Sequence, residues 1–291
     1  AVALESVGVS LNHAKTKVLS LSANPTYTAT IDAVVAQRTQ RGCPPPQMSI
    51  GPHAGAIHLG CPVGGIQFQA AHVRDAFNTV AEEVERLVRL QPADGARDGD
   101  PPVNSVQGVF QTIRLVPEPA IVHLLRFVPP HVTADAARDL DNRTFAAVMP
   151  FLGMPLSPGT DPPPLLEILA RRRAFLPAIM SGLGLQSAEM AAEAAHVGML
   201  AACLHDATRA ARMPVAAMVP DVAYMEALLA RHEDTLTNAK APTTVTAMMA
   251  ETTPRLQRVI TAAVRDAAYA ELKALVPPGD YYHVAIKSTA T

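Results

Sequence analysis

Apolar residues recur at alternating spacings of four and three in one part of the chain: Val73, Phe77, Val80, Val84 and Leu87. That spacing puts them on one stripe of a helix of roughly six turns starting near Gln67. Arg74, Asp75, Glu82, Glu83, Glu85 and Arg89 fall largely off the stripe, and Gln91-Pro92 ends it. Residues 92–104 then have the Asp, Gly and Pro content of an exposed loop.

Further on, the same periodicity predicts short helices over 105–115, 120–127, 133–140 and 143–152, and another over 164–175. A Pro-rich break at 154–164 is either a domain boundary or a surface crossover. From Ser187 the chain reads as a helical bundle. Ser187 is an N-cap for a helix reaching Arg212, with Met190, Ala194, Val197, Ala201, Leu204 and Ala211 as a narrow, alanine-rich stripe. Pro220 opens a helix carrying Val222, Met225, Leu228, Leu229, His232 and Leu236. Thr253-Pro254 is an N-cap and first-turn pair for a last helix that buries Leu256, Ile260, Ala263, Val264 and Ala267. Pro277-Pro278-Gly279 stops it, and residues 277–291 alternate like an extended arm.

The first 66 residues read differently. Residues 15–22 alternate as a short strand, and Thr28 caps a short helix to about Arg41 with Ile31, Val34 and Val35 inward. The Pro- and Gly-dense stretch 43–66 is incompatible with a helix and leaves extended or hairpin structure around Ile57 and Ile66. The expected fold is mainly α: an irregular N-terminal region with minor β (1–66), a multi-helix core (67–276) and extended terminal arms. No solenoid repeat is present.

Composition narrows the function classes. Of 291 residues, 49% are hydrophobic but only 4% aromatic, with no tryptophan, so the core must be aliphatic and closely packed. The charged fraction of 17% lies below the usual quarter, which suits a surface partly covered by copies of the same chain. A net charge of −2 confines any phosphate contact to a local patch. Cys43, Cys61 and Cys203 are an odd set, which points to a reducing compartment. The N-terminus lacks the basic-then-apolar pattern of a signal peptide, and the most apolar window, 188–204, is interrupted by Glu189, Glu193 and His196. A soluble, intracellular chain with no membrane partner is expected.

Cys43, His53, His58 and Cys61 are nitrogen and sulfur ligands of the type zinc prefers, but their spacing fits no common finger, and separate structural roles are the better reading. Glu189, Glu193 and His196 share a helical face and include one Glu-x-x-His pair. A di-iron bundle needs a second such pair, which is absent, so a solvated face is expected. Residues 182–187 (GLGLQS), with Asp206 downstream, echo a dinucleotide turn without the strand that turn requires; a helix–helix corner is expected. Ser181 lacks the flanking glycine of a nucleophile elbow. No Walker loop, HExxH or EF-hand occurs, and no cofactor is expected.

The basic residues remain. Arg171, Arg172 and Arg173 are consecutive on a helix and fan over about 200°, so at least one must be exposed or paired with a carboxylate such as Glu167. Lys15, Lys17, Arg38 and Arg41 form a looser group. Both groups are candidates for backbone contacts to RNA, against the simpler reading of a solvated face with internal ion pairs. The expectation is a structural, self-assembling protein, most concretely a viral coat or nucleocapsid protein that packs against its own copies in a virion. A helical enzyme with dispersed catalytic residues and a helical adaptor are the alternatives.

Overall fold

In a computed structural model of the chain, the structure describes residues 17–20, 25–40, 47–50, 54–89, 106–115, 117–154, 156, 164–211, 222–250 and 255–276. The chain divides into two compact units, residues 1–75 and 76–291.

In the first unit, β1 (Lys17–Ser20) pairs in parallel with β2 (Gln47–Ile50), Lys17 opposite Gln47 and Ser20 opposite Ile50. Parallel neighbours need a crossover, and α1 (Pro25–Gln40) supplies it. A hairpin follows: β3 (Gly55–His58) and β4 (Cys61–Gly64) are antiparallel, with His58 opposite Cys61. Leu59 and Gly60 form its two-residue turn, both at positive φ (50° and 82°), the backbone that matches the twist of the flanking strands. Gly55 lets the ring of Phe68 close over the hairpin, since a Cβ there would lie 2.0 Å from a ring carbon. The hairpin expected around Ile57 is present, whereas Ile66 opens the next helix.

That helix, α2 (Ile66–Arg89), is the one read first from the sequence. Its buried residues are Val73, Phe77, Ala81 and Val84, so Ala81 occupies the stripe where Val80 was expected. The second unit continues with α3 (Val106–Leu115), α4 (Pro117–Phe127), α5 (Pro130–Phe151) and α6 (Leu165–Ala174). A 3-10 turn (Ala178–Met180) leads to α7 (Ala188–Ala211), α8 (Val222–Ala230), α9 (Glu233–Asn238), α10 (Val245–Ala250) and α11 (Leu256–Leu275). The mainly α, multi-helix fold is thus what the structure shows.

Three boundaries differ from expectation. The two helices predicted over 133–140 and 143–152 are one, because the polar Asp141-Asn142 pair between them does not break the helix: Asp141 is buried against another element. The helix opened by Pro220 is divided at Arg231-His232 into α8 and α9. The last helix starts at Leu256, preceded by Arg255 in the left-handed conformation (φ 70°), while Thr253 and Pro254 lie outside the described residues. So does the expected C-terminal arm.

α7 is the axis of the second unit, with α4, α5, α10 and α11 packed around it. Ala194, Val197, Ala201 and Leu204 meet Met225, Leu228 and Leu229 of α8, Leu236 of α9, Met248 of α10, and Leu256 and Ile260 of α11. Each large aliphatic side chain buried there contributes about 1.5–3 kcal/mol. Small residues on α7 let its neighbours approach closely. At Gly198 an added Cβ would lie 2.4 Å from Cβ and 2.9 Å from Cα of Gln257, so α11 rests directly on the α7 backbone. A second cluster joins Val84, Val109, Ile113, Phe145, Val148, Met149, Ala174, Phe175 and Leu185. Among the described residues no helix is long and apolar enough to cross a membrane.

Candidate nucleic-acid interface

Arg255, which immediately precedes α11, and Arg258 and Arg265 in its first three turns stand at spacings that keep them on one side of the helix. The end of α4 brings Arg126 alongside. Together with Gln257, Thr261 and Ala262 they line an open groove of about 520 Å³. Seven other arginines (Arg86, Arg89, Arg138, Arg143, Arg172, Arg209 and Arg231) are ion-paired with carboxylates. None of the four groove arginines forms an ion pair among the described residues. Four guanidinium groups with no ion-pair partner among the described residues therefore line one surface of a chain whose net charge is −2.

Two of them are held by neutral amides. Arg126 donates from Nη2 to Gln257 Oε1 (3.2 Å), and Arg265 donates from Nη2 to Gln186 Oε1 (3.3 Å). An amide oxygen orients a guanidinium without cancelling its charge, as a carboxylate would. The backbone beneath Arg126 is fixed as well, because the Nδ1 of His196 lies 2.9 Å from the Arg126 carbonyl oxygen. His196 is only 6% exposed, and burial holds its pKa below the ordinary 6.5. It is therefore a neutral ring donating Nδ1–H to the end of α4. Arg265 also borders a smaller cavity that contains Arg114 and Gly184. There Arg114 donates from Nε to the Gly184 carbonyl (3.3 Å), and Gly184, at φ 74°, has no room for a Cβ beside that guanidinium.

The arginines singled out by sequence have other surroundings. Arg171 hydrogen-bonds Asn142 and stacks over the Phe145 ring (5.6 Å). Arg172 is ion-paired with Glu271. Arg173 donates from Nε and Nη2 to the Ser181 carbonyl at 3.1 and 3.0 Å, tying α6 to the turn that follows. Lys17 lies on β1 and Arg38 on α1, while Lys15 and Arg41 fall outside the described residues. None of Arg171, Arg172 and Arg173 lines the groove. Of its own arginines, 255, 258 and 265 stand close together in the sequence at a spacing that could have marked them, whereas Arg126 lies more than a hundred residues away.

The Glu189, Glu193 and His196 face is not solvated along its length. Glu189 pairs with Arg138 of α5 (3.0 Å), and Glu193 accepts from His232 Nε2 (2.9 Å) and Arg231 (2.8 Å). The His232 contact chiefly holds the Glu193 carboxyl below its usual range. Of the zinc-type residues, His58 and Cys61 are cross-strand partners, with Cys61 buried and its thiol pKa raised by that burial. Cys43 and His53 lie outside the described residues. Among the described residues no group of three or more His, Cys, Asp or Glu side chains is placed to hold a metal ion. The glycines of 182–187 form the corner between the 3-10 turn and α7, with no strand before them.

A second cavity, of about 510 Å³, collects Asp141, Glu167, Arg171, Arg172, Ser187, Glu189 and Glu271. Asp141 is 3% exposed, and its carboxylate accepts from Ser187 Oγ–H (2.5 Å) and from the N–H groups of Ala188 (2.8 Å) and Glu189 (3.2 Å). Ser187 Oγ in turn accepts from Met190 N–H (3.0 Å), the N-cap read from the sequence. Together these bonds satisfy the donors at the start of α7. Burial pushes Asp141 up to about 6 in spite of the three bonds that favour its charge. This hydroxyl is committed to capping, and no histidine lines the cavity to serve as its base. Comparison with protein-family models, curated proteins and solved structures finds no match to the chain.

Proposed function

We propose that this protein is a structural, self-assembling chain of the coat or nucleocapsid kind, which packs against copies of itself and holds nucleic acid by its phosphate backbone. The observation that carries this reading is the groove of Arg126, Arg255, Arg258 and Arg265, charged and without ion-pair partners among the described residues. Phosphates of a polynucleotide are the dense, repeating anions that such a row neutralises, with release of condensed counterions as the driving force. Self-packing draws support from the low charged fraction and from exposed aliphatic side chains at Leu165, Leu166 and Ile179. Among the described residues the second cavity offers an enzyme no nucleophile with a histidine base, which supports the structural reading over the catalytic one.

The test is retention of nucleic acid on purification, read as a high ratio of absorbance at 260 to 280 nm that falls on a salt wash. Replacing Arg126, Arg255, Arg258 and Arg265 together with Ala should abolish retention while leaving circular dichroism unchanged. The same loss from Arg171→Ala, Arg172→Ala and Arg173→Ala, with the groove variant still retaining nucleic acid, would move the contact away from the groove.

A further inference from the structure

We propose that the groove takes a polynucleotide by its phosphates alone, without reading its bases, and that Gln257 and Gln186 are positioning residues that aim Arg126 and Arg265 at it. The proposal rests on the nucleic-acid reading above and specifies the contact.

Two features support contact through the phosphates. Arg255 and Arg265 are ten residues apart, about 15 Å along α11, room for a few nucleotides only. The lining contains Arg, Gln, Thr and Ala but no aromatic ring, so bases have no platform to stack on and backbone contacts must dominate.

The glutamines supply the rest. A free arginine side chain loses rotamer entropy on binding a phosphate, and an amide contact made beforehand reduces that loss. Gln257 is itself held in place, because α11 lies on Gly198 of α7 at that residue. A carboxylate in the same position would pin Arg126 equally well yet neutralise it. That contrast separates positioning from mere packing.

The experiment is fluorescence anisotropy of a labelled oligonucleotide of about ten nucleotides, titrated at several salt concentrations. Probes are a mixed-sequence single strand, homopolymers of each base and the matching duplex. Single strands are expected to bind with less than tenfold spread among bases. Four phosphate contacts predict a slope of log K against log salt of about −3. Gln257→Glu and Gln186→Glu should each reduce the magnitude of the slope by about 0.7, the loss of one contact. Gln257→Ala, which keeps the charge of Arg126, should weaken binding at an unchanged slope. A stronger base preference would overturn the phosphate-only contact and leave the nucleic-acid reading standing. A slope unaltered in both Glu variants would remove the glutamines from the account. Failure of the unmodified protein to bind any probe at low salt would sink the nucleic-acid reading itself.

Discussion

His196 on α7 secures the carbonyl oxygen of Arg126 at 2.9 Å, so a buried imidazole fixes the end of α4 from which a groove arginine projects. Core and groove are coupled at this point. The same α7 carries Gly198, on which Gln257 rests, and Gln257 holds the Arg126 side chain. Backbone and side chain of one arginine are thus both set from the central helix.

The coupling has a pH signature. Burial lowers the pKa of His196 in the fold below its ordinary 6.5, so as pH falls the unfolded chain takes up this proton first. Stability contributed by neutral His196 is complete above about pH 6.5 and declines below it. His196→Ala should lose about 2 kcal/mol near pH 7.5 through the cavity and the unpaired carbonyl, and less near pH 5.5. Urea unfolding of both proteins at the two pH values measures the gap. An equal gap at both would contradict a neutral, buried donor.

Asp141 predicts the opposite slope. Its carboxyl titrates at about 6 in the fold against 3.8 as the ordinary value, so between these the folded chain holds a proton that the unfolded chain has released. The favourable contribution is complete below about pH 3.8 and is lost as pH rises through 6. Asp141→Asn keeps an acceptor for the α7 amides without a buried charge. It should match or exceed the native protein in thermal stability at pH 7, by up to about 2–3 kcal/mol, with the advantage shrinking towards pH 4. Asp141→Ala, which leaves the α7 N–H groups unpaired, should cost about 1–3 kcal/mol. A variant Asn protein much less stable than the native one at pH 7 would refute this account of the carboxylate.

At Gly198 the prediction is steric. Gly198→Ala places a methyl 2.4 Å from Gln257 Cβ and forces α11 away from α7. Overpacking of this kind costs about 1–3 kcal/mol. Because Gln257 moves with the helix, phosphate binding should weaken beyond what a stability change alone explains. Thermal melts paired with oligonucleotide titration below the melting range separate the two. Unchanged binding in a destabilised but folded Gly198→Ala protein would show that the groove does not depend on this contact.

The helices were legible because their signals are local. Val73, Phe77 and Val84 recur at helical spacing, and Ser187 stands where a cap belongs. The continuous α5 was misread at Asp141 because a polar residue in mid-helix looks like a break, and its partner amides are 47 and 48 residues away. His196 looked solvated for the same reason: its acceptor, Arg126, is 70 residues distant. The groove was only partly legible from spacing, since Arg255, Arg258 and Arg265 share one side of a helix. Arg126 lies more than a hundred residues from the other three, and nothing along the chain tells an arginine with a carboxylate partner from one without. Arg171 to Arg173 drew notice by being consecutive, yet consecutive residues on a helix point in different directions and find different partners.

The most direct test of the central claim is electron microscopy of the purified protein, mixed with single-stranded nucleic acid at low salt and imaged again after a high-salt wash. Ordered multi-subunit particles or filaments that need the nucleic acid, and that the fourfold Arg→Ala groove variant does not form, are the predicted result. A field of separate single subunits, identical with and without nucleic acid, would contradict it.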